Sequence, residues 1–199
     1  MDTQETIRAI KQELRLAMNG VASSLMRESG IEYKLNFGVE LPRLQHIARQ
    51  FSPDHRLAGA LWKENIRECK ILATLLQPAD SFLPEIADIW MEDIRQPELA
   101  QQLVMNLLAG MPYASEKAFC WMADERSMFR YAGFLLLARL LMQGARMNER
   151  AEQEFLDQAE AALHDESLPV RKAATSALQK YAEQSAKSAA KADKVMRQA

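Results

Sequence analysis

Residues 168–181 read Leu-Pro-Val-Arg-Lys-Ala-Ala-Thr-Ser-Ala-Leu-Gln-Lys-Tyr, and this stretch decides the fold. Its small and apolar residues recur every three or four positions, which places them on one face of an α-helix. They are Val170, Ala173, Ala174, Ala177, Leu178 and Tyr181. Pro169 stands in the first turn, where its missing N–H costs nothing. The stretch predicts a helix whose small-residue face packs against a neighbour, with Thr175, Ser176 and Gln179 on the opposite face.

The composition of the chain favours a helical globular protein. Of its 199 residues, 48% are hydrophobic, while only 7 are glycine and 7 are proline. That balance excludes global disorder and favours helices over strands. No apolar run reaches the ~18–20 residues of a membrane span. The first residues lack a basic start followed by an apolar block, so we expect no signal peptide and no membrane partner.

The cysteines and histidines indicate neither a metal site nor another cofactor. Cys69 and Cys120 lie inside helical patterns without the spacing of metal ligands, so we expect reduced thiols in the core of a cytoplasmic protein. His46, His55 and His164 show no ligand spacing with one another or with the cysteines. We therefore predict a protein without a metal or a cofactor.

The charge of the chain is unevenly distributed. The formal net charge is −2. The Ala/Lys-rich segment 185–199 carries Lys187, Lys191, Lys194 and Arg197 against Asp193 alone, a charge of +3, which leaves −5 on the remainder. An acidic body is not typical of a protein dedicated to nucleic acid. We assign residues 1–184 to a single domain and expect the tail to be a frayed, solvated helix end.

Helical patterns recur in pairs along the domain. The pairs cover about 41–76, 79–109, 112–143 and 148–182, and a spacing of roughly 30–45 residues is typical of helical repeat arrays. An arginine follows the first apolar residue of the second helix at Arg67, Arg130 and Arg171. The Val-Arg-x-x-Ala-x-x-Ala-Leu pattern of the opening stretch resembles the second helix of a HEAT repeat. We therefore predict an all-α fold, an α-solenoid of HEAT-like helix hairpins.

Three further runs carry a resemblance to a known family. They are Leu35–Ala48 with its Phe-Gly-Val-x-x-Pro-x-Leu-x-x-Ile-Ala pattern, the Leu-Trp helix Leu57–Trp62, and Glu68–Ala73. Together they resemble the AlkD-like family of bacterial DNA alkylation repair proteins, over about residues 25–182. The resemblance implies a HEAT-like solenoid whose basic concave face holds duplex DNA. Active members are glycosylases that remove N3- and N7-alkylated purines without drawing the base into a pocket. In them an Asp stabilises the developing oxocarbenium charge, and two Trp indoles pack against the lesion nucleotide.

The chain departs from the family at the positions to which the resemblance assigns function. Pro97 stands at the position of the first Trp, and Gln101 at that of the catalytic Asp. The Arg-Arg pair of the fourth repeat reads Arg130-Tyr131, and Ser176 replaces the second Trp. We therefore expect no catalytic residue of the family to be present.

Two acidic residues lie near Gln101 in sequence and are weak substitutes for the missing Asp. Glu98 is three residues away on the same predicted helix, about 60° around its axis, and Asp93 precedes that helix. Three functional hypotheses follow. In the first, the chain is a non-catalytic DNA- or protein-binding module. In the second it is an active glycosylase with a site rearranged around Glu98 or Asp93, and in the third it is a protein–protein scaffold without a nucleic-acid role.

Five basic residues are candidates for contacts with DNA phosphates. They are Arg43, Arg67, Arg95, Arg130 and Lys172. For Arg130, and likewise for Arg171, the Asp/Arg ladder that links HEAT repeats is an equal alternative. Trp62, Trp90 and Trp121 fit the apolar stripes of their helices, so we expect them in the core rather than on a lesion.

Overall fold

The computed structural model describes residues 2–31 and 33–198, and over them the protein is all-helical apart from one isolated bridge between Leu35 and Ile66. The α-helices are α1 (Thr3–Leu16), α2 (Gly20–Glu28), α3 (Leu41–Ala48), α4 (His55–Trp62), α5 (Arg67–Leu76), α6 (Pro84–Asp93), α7 (Pro97–Asn106), α8 (Ala114–Met122), α9 (Ser127–Met142), α10 (Glu149–Leu163), α11 (Leu168–Ala182) and α12 (Ala186–Gln198). Two 3-10 turns, Ala79–Ser81 and Leu108–Gly110, lie between helices. The all-α prediction is confirmed.

The helices form two compact units, of which the first ends at Trp90 and the second begins at Met91. In the first unit α5 packs against α3 and α4, and α4 packs against α1. In the second unit α9 packs against α7, α8 and α11, while α11 also packs against α10 and α12. Every helix in the described part of the chain is too short or too polar to cross a bilayer. The assignment of residues 1–184 to one domain stays a prediction.

The Phe-Gly-Val run of the first unit is held by a buried carboxylate and packs closely against the backbone at Asn19. The carboxylate of Glu68, fully buried on α5, accepts the N–H groups of Phe37 at 3.0 Å and Val39 at 3.3 Å. Gly38 between them has φ +69°, and a Cβ there would lie 2.3 Å from the carbonyl oxygen of Asn19. This run is irregular, and its glycine is required by both conformation and space.

The tryptophans pack in the cores of the two units, as predicted. Trp62 and Trp90 stack with ring centroids 4.0 Å apart, and Phe82 meets Trp90 edge-on at 5.0 Å. In the second unit Trp121 meets Phe129 edge-on at 5.6 Å. All three indoles are at most 5% exposed. They stabilise the helix packing and are not available to a ligand.

The small-residue face of α11 is buried as the opening stretch predicts. All six of its members are at most 3% exposed. The close packing of α11 against α9, α10 and α12 follows from this face, because alanines let neighbouring backbones approach. The helix also positions Lys172 and Ser176 on its less buried side.

Two expectations about the core and the tail were wrong. Cys69 is buried, and burial raises the pKa of its thiol to about 12, but Cys120 is exposed and is not a core thiol. The tail is not a frayed end, because α12 buries Ser188, Ala192 and Val195. These three residues are four and three positions apart, which places them on one face of the helix. This spacing indicates a helix that packs against a neighbour, but the many lysines of the segment obscured it.

One carboxylate on α10 holds the last helix. Glu152 accepts hydrogen bonds from the Lys191 ammonium of α12 and from the Tyr181 hydroxyl of α11. The hydrogen bond from Lys191, followed by that from Tyr181, holds the pKa of Glu152 below its ordinary value. Burial and the same carboxylate raise the pKa of Tyr181 to about 12. The packing of α12 therefore depends on an ionised Glu152.

Replacing Glu152 by glutamine should lower the free energy of unfolding at pH 7 by about 1 kcal/mol, because one charge-assisted pair is lost. The native pKa of Glu152 is depressed, so its contribution is complete above the ordinary value of 4.5 and is lost as the pH falls through the native pKa. Urea unfolding of both proteins from pH 7 to pH 3 should show the difference shrinking. Glu154→Gln, an exposed neighbour on α10, is the control, and an equal pH response in both variants would contradict the assignment.

Candidate nucleic-acid interface

The second unit contains a cavity of about 300 Å³ walled by side chains of α7, α9 and α11. Its lining includes the four positions at which we predicted a departure from the family pattern: Pro97, Gln101, Tyr131 and Ser176. Lys172, one of the predicted phosphate contacts, lies on the same wall. The packing of α7 and α11 on α9 brings these residues together although they are far apart in sequence.

A hydrogen bond fixes two of the polar groups in this cavity. The Gln101 Nε2 donates to the Tyr131 hydroxyl oxygen at 2.8 Å. Tyr131 is 6% exposed, and its burial raises the pKa of the phenol, while the hydrogen bond from Gln101 acts in the opposite direction. The phenol therefore stays protonated at neutral pH and presents an O–H donor.

Lys172 is the charged residue of the cavity lining. Its side chain is exposed and has no hydrogen bond or ion pair to any residue that the structure describes. An ammonium without an acidic partner is suited to bind a phosphate. The cavity is thus neutral apart from one available cation.

Neither of the two substitute acids lines the cavity. Asp93 is exposed near the end of α6, and Glu98 is half-buried in the first turn of α7. The lining of the cavity contains no carboxylate. A developing oxocarbenium charge in this cavity would meet the dipoles of Gln101 and Tyr131 but no compensating negative charge.

Arg130 and Arg171 repeat one geometry. The Arg130 Nη1 donates to the carbonyl oxygens of Asp124 and Glu125 at 3.0 and 2.6 Å. The Arg171 Nη1 donates to those of Asp165 and Glu166 at 2.5 and 3.1 Å. In each repeat the carboxylate of the Asp also accepts a backbone N–H two residues on. This turn is encoded by a repeated pattern, Asp-Glu-x-x-x-apolar-Arg. From the sequence we identified only the arginine of this pattern.

Arg130 also links one repeat to the next. Its Nε and Nη2 atoms lie 2.8 and 2.6 Å from the Asp165 carboxylate. This is the Asp/Arg ladder that the sequence left as an equal alternative to phosphate binding. The structure therefore gives Arg130 a structural partner and does not place it in the cavity lining.

The other predicted phosphate contacts lie apart from the cavity lining. Arg67, in the first unit, is 2% exposed and binds the Glu68 carboxylate and the Val39 carbonyl oxygen, both at 3.0 Å. It does not share the turn geometry of Arg130 and Arg171, so the expected three-fold arginine repeat holds for two. Arg43 is exposed, 3.9 Å from Glu13, and Arg95 is exposed and donates to the Glu92 carbonyl oxygen at 2.6 Å.

Two further residues of α9 were not predicted from the sequence. Leu135 lines the cavity one turn after Tyr131 on α9. Arg139 lies one further turn along the same stripe, and its Nε is buried without a hydrogen-bond partner among the described residues. The signal was present, because Arg139 is the one charge that interrupts the apolar run of residues 134–142.

The fold of this chain is similar to that of a solved structure, which comes from a family related to the HEAT-like repeat DNA glycosylases with affinity for branched DNA structures. The TM-score is 0.84 at 18% identity, over 96% of this chain and 82% of that one. At this identity the similarity establishes the fold, which is the predicted HEAT-like repeat fold.

Over residues 10–192 the chain matches the family described as DNA alkylation repair enzyme, and it belongs to that family. The resemblance stated from Leu35–Ala48 and the later runs is thereby confirmed, and the match extends beyond the residues 25–182 first assigned. No curated protein sequence matches the chain.

Proposed function

We propose that this protein binds DNA without excising bases, and that the surface around the cavity of α7, α9 and α11 is its contact region. The proposal is based on the lining of that cavity, which contains no carboxylate. Its members include Pro97, Gln101, Tyr131 and Ser176. Base excision requires stabilisation of positive charge on the sugar, and binding requires only shape and phosphate contacts. The site supports the second of these activities.

The preferred ligand in this proposal is branched DNA. The structurally similar family has affinity for branched DNA structures. A net charge of −2 predicts little general attraction to DNA phosphates, so that affinity for DNA must come from local contacts. Lys172 supplies positive charge on the wall of an apolar cavity, and we propose that Arg139, two turns after Tyr131 on α9, adds to it.

Fluorescence anisotropy with a labelled four-way junction and a duplex of the same length tests the binding. We expect tighter binding to the junction and a shallow salt dependence. A slope of about −2 in log affinity against log salt is expected, since each neutralised phosphate contributes roughly 0.9. Lys172→Gln should weaken binding and make the slope shallower by about one. Gln153→Ala, at an exposed position on α10 outside the cavity lining, is the control. A complete lack of binding at low salt would contradict the proposal.

Excision of alkylated bases by a rearranged site is the second candidate function, and membership of the DNA alkylation repair enzyme family favours it. Glu98 or Asp93 would then act on a substrate outside the cavity. Incubation with a duplex containing 7-methylguanine separates the two functions. We expect no release above the spontaneous rate. Release that disappears in Glu98→Gln or Asp93→Asn would establish excision by that carboxylate.

A scaffold for protein partners is the third candidate, favoured by one surface of the first unit. Leu16, Met18, Val21 and Leu25, at the end of α1 and on α2, are between 58 and 73% exposed. Adjacent exposed apolar residues are typical of a protein interface. This function is favoured over DNA binding if the anisotropy experiment shows no affinity for either DNA at low salt.

A further inference from the structure

We infer that the cavity of α7, α9 and α11 takes an unpaired nucleobase of the branched DNA, with Lys172 on the adjoining phosphate. This inference rests on the proposed function and adds to it the chemical group that enters the site. The cavity of about 300 Å³ lies at the small end of ligand pockets, a size suited to one heterocycle.

The walls of the cavity match the faces of a base. Pro97, Leu135 and Pro169 give it rigid apolar surfaces on three helices. A planar base is apolar on both faces and is readily held between such side chains. Ala173 and Ser176 are small, so the α11 side of the cavity stays open to a ligand.

The polar groups of the cavity match the edge of a base. Because the Tyr131 oxygen accepts from Gln101, its own proton is free to be donated to a ligand. The Gln101 amide oxygen has no hydrogen-bond partner among the described residues and can accept from an exocyclic amino group. One donor and one acceptor thus lie side by side, in the arrangement that a Watson–Crick edge requires.

The charge of the cavity identifies the ligand as part of a nucleic acid rather than a neutral heterocycle. Lys172 lies on the cavity wall without an acidic partner among the described residues. An unpaired nucleotide presents an apolar base beside an anionic phosphate, and both find a complement here. A nucleotide left unpaired at a branch point has no pairing partner to lose, so that entering the cavity costs only unstacking.

Fluorescence of 2-aminopurine tests this inference. The probe is placed at an unpaired position beside the crossing of a three-way junction, and in a second junction within a paired arm. With the full-length protein, we expect the unpaired probe to brighten and to become protected from quenching by acrylamide. The paired probe should change little. An unpaired probe that stays accessible to acrylamide in the bound complex would overturn the inference.

Cavity-filling variants separate the inference from the proposed function. Ser176→Leu should abolish the change in the probe and weaken binding of this junction about tenfold, as expected for loss of one bound base. Gln153→Leu, at an exposed position on α10 outside the cavity lining, should leave both unchanged. If Ser176→Leu fails to fold, as judged by circular dichroism, Pro97→Leu fills the same cavity from α7.

The two possible failures have different signatures. Absence of junction binding by the unaltered protein overturns the proposed function and this inference together. Tight junction binding that Ser176→Leu and Pro97→Leu leave unchanged overturns the inference alone, since DNA would then be bound outside the cavity.

Discussion

Replacing Glu68 by alanine should lower the free energy of unfolding of the first unit by about 3–5 kcal/mol. The carboxylate is fully buried, pairs with the Arg67 guanidinium at 3.0 Å, and accepts the N–H groups of Phe37 and Val39. Removing it takes the carboxylate at 3.0 Å away from a buried guanidinium and deprives two backbone donors of this acceptor. Few single side chains in the described chain combine these losses.

Urea unfolding followed by tryptophan emission measures this effect. In a Trp121→Phe background the emission comes from Trp62 and Trp90, which are stacked in the first unit. Glu13→Ala is the matched control, because Glu13 lies 3.9 Å from Arg43 and both side chains are partly exposed. That control should cost less than about 0.5 kcal/mol. Equal losses for Glu13→Ala and Glu68→Ala would refute the role of the buried pair.

Replacing Gly133 by alanine should destabilise the second unit by about 3 kcal/mol, because α8 and α9 touch through their backbones at this glycine. A Cβ at Gly133 would lie 2.5 Å from the Met122 backbone nitrogen and 2.9 Å from the Ala118 carbonyl oxygen. Backbone atoms cannot turn away as a flexible side chain does, so α8 must move. Since α9 also carries Tyr131 and Leu135, we expect weaker binding of DNA as well.

Gly59→Ala is the control for this prediction. Gly59 lies within α4, and nothing lies within 4 Å of a Cβ built there. The same substitution should therefore stabilise the protein by up to about 1 kcal/mol, through helix propensity alone. Thermal unfolding of the two variants should shift in opposite directions. A stabilising Gly133→Ala would show that the two helices are not in close contact.

Helix periodicity predicted the buried faces well. The six residues of the opening stretch are all buried, because spacing alone determines which face of a helix is apolar. The same reasoning gives no sign that Glu68 is buried. A charged residue between Arg67 and Lys70 is typical of a solvated face, and the two N–H groups that bind it are 29 and 31 residues away. No local pattern encodes such a partnership.

The cavity shows a second limit of sequence reasoning. The family resemblance identified Pro97, Gln101, Tyr131 and Ser176 one at a time, as positions that lack the expected side chain. Only the packing of α7, α9 and α11 shows that they share one cavity, and that Gln101 and Tyr131 bind each other. The four predicted substitutions are therefore neighbours, in a site whose lining carries one cation, Lys172, and no carboxylate.

The most direct test of the account uses one junction that carries a single 7-methylguanine beside the branch point. The protein is added at saturating concentration, the bound fraction is measured by anisotropy, and abasic sites are counted in the same sample over time. We predict that the junction is fully bound and that abasic sites appear no faster than by spontaneous depurination. Excision well above that rate, or the absence of binding, would contradict the central claim that this family member binds DNA without excising bases.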